Sequence, residues 1–134
     1  MKKDDVGIWI DEREALLVTF SEGKLIIQRI PSEVETYHVT GGSGSSTPYG
    51  PQDAVSETGY LRRKNQQLKK YFSRVMEHLK TAERILIIGP AEAKDGLRKE
   101  LSGSALPFER LAVKPADSMT ENQLKARVKE FFKE

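Results

Sequence analysis

Apolar residues open the chain in three short, closely spaced runs: Val6–Ile10, Ala15–Phe20 and, within 24–30, "KLIIQRI". Asp11-Glu12-Arg13 separates the first pair and Ser21-Glu22-Gly23 the second. Connections this short join only antiparallel strands, so the pattern predicts a three-strand meander. Pro31 ends its third strand, because proline brings no N–H to a ladder.

Residues 32–58 show no helical period and hold the turn or extended dipeptides Thr47-Pro48 and Gly50-Pro51. They predict a flexible loop at about 32–58. Its centre, "GGSGSSTPYGPQ" at 41–52, is too polar and too glycine-rich for a core. The period then changes. Over 60–80, Leu61, Leu68, Phe72, Val75 and Leu79 fall within about 40° of one line at 100° per residue, which predicts a helix, with Ser56 or Thr58 positioned to cap it. "RILIIG" at 84–89 is apolar at consecutive positions, as a strand covered on both faces would be. Pro90 suits a first helical position, Ala93, Leu97 and Leu101 form the stripe of a second helix, and Gly103 suits its stop. "FERLAV" at 108–113 reads as a last strand. In the closing helix Ser118 and Glu121 are spaced as a capping box, and Leu124, Val128 and Phe131 form the stripe.

The order is therefore βββ-α-β-α-β-α. Strands reached through helices add in parallel by right-handed crossovers. The expected fold is α/β: a ribonuclease H-like mixed five-stranded sheet of order 3-2-1-4-5, with strand 84–89 beside 6–10 and helices on both faces. One domain over 1–134 accounts for the pattern.

Composition narrows the function. The 134 residues include no cysteine, which excludes disulfides, zinc–thiolate sites and thiol catalysis. No apolar run approaches the roughly 20 residues of a membrane span, and "MKKDDVGIWID" lacks the apolar stretch of a signal peptide; a cytoplasmic location is expected. His38 and His78 have no partner pattern, and no nucleophile-elbow motif occurs. A two-metal nuclease on this sheet would need converging acids at neighbouring strand ends. Asp11, Glu12 and Glu14 supply one group, but the fourth strand runs into Gly89-Pro90-Ala91. No metal and no cofactor is expected, and Asp11 reads as a turn residue. "IGPAEAK" is neither a P-loop nor a dinucleotide fingerprint and reads as packing.

Net charge is only +2, so a nucleic-acid signal has to be local. The helix over 60–80 supplies one. Arg62, Lys69 and Lys80 lie about 80–100° from its apolar stripe, and Arg63, Lys70 and Arg74 about 180–220° away, opposed in sign only by Glu77. A merely solvated face normally mixes signs. This face, beside a loop holding Tyr49, points to phosphate contacts through Arg62, Arg63, Lys69, Lys70 and Arg74.

"VGIWIDEREALLVTF", a Gly-Gly loop, a basic helix and "ILIIGPAEAK" together resemble the central domain of the eukaryotic and archaeal peptide chain release factor and of Pelota. More closely, they are similar to small bacterial stand-alone proteins of that domain family, the "translational machinery proteins". The resemblance spans nearly the whole chain. It implies a translation-associated factor that binds ribosomal or transfer RNA. In the release factor the corresponding loop carries Gly-Gly-Gln, which promotes peptidyl-tRNA hydrolysis. Here the aligned segment is Gly41-Gly42-Ser43-Gly44, and Gln52 lies downstream. Pelota-type domains also lack the triplet and do not hydrolyse the ester, so the implied role is non-catalytic, with Tyr49 as an aromatic contact of the loop. A peptidyl-tRNA hydrolase-like enzyme using that loop, and a protein-interaction module such as a homodimer, are the alternatives.

Overall fold

A computed structural model of the chain describes residues 1–35 and 50–133, with residues 50–57 described by their backbone alone. Its elements are β1 (Asp5–Ile10), β2 (Glu14–Ser21), β3 (Lys24–Pro31), α1 (Gly50–Met76) with a 3₁₀ turn at Glu77–Leu79, β4 (Arg84–Gly89), α2 (Ala93–Ser102), β5 (Arg110–Pro115) and α3 (Glu121–Phe131). The strands form one mixed sheet of order β3-β2-β1-β4-β5, as expected. β1 pairs antiparallel with β2, Ile8 opposite Leu17, and parallel with β4, Ile8 opposite Ile87.

The meander follows from its turns. Glu22 and Gly23 take φ of 52° and 78° between the paired Ser21 and Lys24, a two-residue turn whose twist matches that of its strands. At the other end Asp11 accepts the N–H groups of Arg13 and Glu14 on Oδ1 at 2.7 and 2.9 Å. Its carboxylate organises the β1–β2 turn, in the role the sequence suggests for it.

Side chains alternate between two cores. Val6, Ile8 and Ile10, with Ile85 and Ile87, face Tyr71, Phe72, Val75 and Leu79 of α1 and its 3₁₀ turn, and Leu97 and Leu101 of α2. Trp9, Leu16, Val18, Leu86 and Ile88 face Leu124, Val128 and Phe132 on the other side. All six residues of β1 are buried. Gly7 lets α3 lie directly on the sheet, since a Cβ there would stand 2.4 Å from Val128 Cγ2. Gly89 is as tightly constrained: its Cβ would meet the Ile10 carbonyl oxygen at 2.1 Å. One buried ion pair ties the start of β1 to the start of β4. Arg84 grips Asp5 at 2.6 and 2.7 Å, and the Lys2 backbone N–H adds a third bond. Burial pushes the Asp5 carboxyl up, but these bonds outweigh it and hold it below its ordinary value.

Several boundaries differ from the sequence pattern. α1 begins at Gly50, so Ser56 and Thr58 lie inside the helix rather than capping it, and only 36–49 of the expected loop falls outside the described residues. Pro51 fits this start, because the first turn of a helix has no acceptor for its missing N–H. α2 starts at Ala93 after a turn, with Ala91 at φ 52°, so Pro90 precedes the helix. β5 lies at Arg110–Pro115 rather than 108–113. The capping box is Thr120 with Gln123, two residues beyond Ser118 and Glu121.

Candidate nucleic-acid interface

α1 is long because two different things hold it. From Tyr71 onward it packs on the sheet, and the Tyr71 hydroxyl donates to the Asp11 carbonyl at 2.9 Å. Burial, and then the nearby carboxylates of Asp11 and Glu14, push that phenol well above its ordinary pKa, so it stays a neutral donor. From Tyr71 back to Gly50 the helix continues for 21 residues, about 30 Å at 1.5 Å each, past the β1–β2 turn. No residue from 58 to 70 is buried. Leu61, expected on the apolar stripe, is 51% exposed.

The basic residues of this arm divide by partner. Arg63, Gln67, Lys70 and Arg74 stand at i, i+4, i+7 and i+11, one side of the helix, and that side faces the segment leaving β3. Arg63 grips Glu35 through Nε at 3.3 Å and a terminal nitrogen at 3.1 Å. Gln67 accepts the Glu35 backbone N–H at 2.7 Å and donates to its carboxylate at 3.1 Å. The Arg63 hydrogen bond, helped by Gln67, holds the Glu35 carboxyl below the usual glutamate range, and Glu35 in turn raises Arg63. Arg74 donates to the Ser32 carbonyl at 2.7 Å, lies 6.0 Å from the Tyr71 ring centre, and has Glu33 at 3.7 Å. Lys64, not among the residues the sequence singles out, pairs with Glu12 at 3.2 Å.

Two of the five expected phosphate-binding residues, Arg63 and Arg74, are thus engaged with the chain's own segment 32–35. The separation was not visible in the sequence, because Glu33 and Glu35 sit in a stretch with no period. Arg62, Lys69 and Lys70 are exposed and make no ion pair or hydrogen bond among the described residues. Gly41, Gly42, Ser43, Gly44 and Tyr49 lie outside the described residues.

Lys69 and Lys70 belong to a cleft of about 660 Å³ between α1 and the β3 exit, whose other lining residues are Ser32, Glu33, Gln67, Ser73 and Arg74. Three cations and several hydrogen-bond donors meet a single acid there. Such a lining suits an anion with several acceptor oxygens, which Arg and Lys recognise by fork and by point charge.

No family model and no curated protein matches the sequence. Among the described residues no helix is long and apolar enough to cross a membrane. The chain is similar to the crystal structure of an archaeal translation termination factor, aRF1, with a TM-score of 0.54 and 12% identity over 97% of this chain and 34% of that one. At such low identity the shared property is the fold, and this chain spans about a third of the termination factor's length.

Proposed function

We propose that this chain is a translation-associated, non-catalytic factor that binds ribosomal or transfer RNA through the projecting arm of α1. The observation that carries the proposal is the set Arg62, Lys69 and Lys70: three exposed cations on an arm with no fully buried residue from 58 to 70, without ion-pair partners among the described residues while neighbouring cations are paired. A cluster of unpaired positive charge on one exposed helix is the footprint of a phosphate-backbone contact. The likeness of fold to a translation termination factor supports an RNA of the translation apparatus as the partner. Gly41–Gly44 and Tyr49 belong to the same proposal as a second contact, in which the ring stacks on a base.

The test is the triple variant Arg62→Glu, Lys69→Glu, Lys70→Glu, assayed by cosedimentation with ribosomes at graded salt. Exposed substitutions of this kind shift stability by about 0.5 kcal/mol or less each, so the protein stays folded. Association is expected to weaken at least about tenfold, since charge reversal adds repulsion to the lost contacts. Unchanged association by the folded variant removes the arm from the interface. Failure of the wild type to bind ribosomes or RNA at low salt overturns the function itself.

A further inference from the structure

The cleft beside Lys70 holds a second relation between acid and base. Its wall is firmly set: the Ser32 backbone N–H donates to the Arg13 carbonyl at 2.8 Å, and the Ser32 carbonyl accepts from Arg74 at 2.7 Å. Arg74 is therefore already oriented before any ligand arrives. Its remaining ionic partner, Glu33, is loosely placed. The pair is 3.7 Å apart, the Glu33 side chain is 74% exposed, and no hydrogen bond joins the two. Glu33 also takes φ of 57°, a left-handed conformation that side chains other than glycine adopt at a cost. Two residues on, Glu35 has both its carboxylate and its backbone N–H bonded to α1. The segment thus carries one tight acid and one loose acid, and the loose one lies in the cleft where Lys69, Lys70, Ser73 and Arg74 converge.

We infer that this cleft is the seat of a phosphate, in which the Glu33 carboxylate is an internal stand-in that a phosphodiester of RNA displaces. The macromolecule rests on the RNA-binding function proposed above; the seat itself rests on the cleft. A phosphate oxygen takes over the Arg74 N–H groups that Glu33 faces only weakly, while Lys70, unpartnered among the described residues, and the Ser73 hydroxyl supply further donors. Glu33 swings to solvent, and Glu35 keeps the segment on the helix.

Two measurements test this, with Glu109→Gln as a control for net charge, since Glu109 is exposed and makes no ion pair among the described residues. In fluorescence anisotropy with a labelled single-stranded RNA at low salt, Glu33→Gln is expected to bind about two- to fivefold more tightly than wild type, the range covered by releasing one exposed ion pair. Lys70→Gln is expected to weaken binding and flatten the log–log salt dependence by about 0.7. If wild type binds RNA and Glu33→Gln gains no more than Glu109→Gln, the stand-in is refuted while RNA binding survives. In amide NMR, inorganic phosphate is expected to shift Ser32–Glu33 and Lys69–Arg74, at lower concentration in Glu33→Gln. No shift there in either protein overturns the seat whatever the RNA does. Shifts without RNA binding keep the seat and overturn the RNA-binding function.

Discussion

From Tyr71 to Leu79, α1 and its 3₁₀ turn put four fully or nearly fully buried side chains into the sheet core; from 58 to 70 the same helix buries none. The foot is held by apolar area and by hydrogen bonds from Tyr71 and Arg74 to carbonyls just past the ends of β1 and β3. Apart from the half-buried Leu68, the arm is held by ion pairs and an amide: Lys64 to Glu12, Arg63 and Gln67 to Glu35. These differ in kind. Burial of a large side chain contributes kilocalories, while exposed ion pairs contribute fractions of one and weaken in salt. The arm can therefore give up its charges to a ligand, as Arg74 can its loose contact with Glu33, whereas the buried side chains of the foot cannot leave the core.

The largest expected effect falls on the foot. Tyr71→Ala removes a fully buried ring and should cost about 3–5 kcal/mol, read as a lower denaturation midpoint. Tyr71→Phe keeps the ring and orphans the Asp11 carbonyl, at about 1 kcal/mol. If Tyr71→Ala cost no more than Tyr71→Phe, the foot would not be a packing element. On the arm, Leu61→Gln should change stability by about 0.5 kcal/mol or less in the same unfolding experiment. A loss comparable to that of Tyr71→Ala would mean that the arm has a core of its own.

The smallest effect is a titration. Glu35 has a folded pKa below its unfolded value, so its tether contributes fully above the ordinary glutamate value of about 4.3. The tether is lost as pH falls through the lowered folded pKa. The Glu35 carboxyl resonance should show a midpoint below the ordinary value, returning toward it in Arg63→Ala. An ordinary midpoint in the wild type would separate segment 32–35 from the arm.

Much of this was legible in the sequence for a physical reason. Short connections dictate antiparallel neighbours and helical crossovers dictate parallel ones, so strand directions followed from connection lengths, and the place of β4 beside β1 from the ribonuclease H-like order of elements. Where tertiary contacts decide, the pattern misled. Leu61 continues the apolar line but lies beyond the sheet and stays half exposed. Phe131 fits the stripe of α3, yet it is 38% exposed and Phe132, at the helix end, is 3% exposed; Lys114 covers the Phe131 ring at 5.1 Å instead. Tyr71 was missed because a polar atom hid a core residue. At the candidate interface the sequence singled out this helix and five of its cations, but could not sort them by partner. That sorting depends on Ser32, Glu33 and Glu35, which meet α1 only in three dimensions.

The buried central strand carries a consequence for the order in which the chain assembles. β1 pairs with β2 across a turn of three residues, 11–13, but its other edge waits for β4, which begins at Arg84. A growing polypeptide can close the meander early, yet until Gly89 has emerged it displays Val6, Ile8 and Trp9 along an open hydrogen-bonding edge, the most adhesive surface a nascent sheet can offer. Chains cut short before β4 should accordingly self-associate, whereas those cut after it should not.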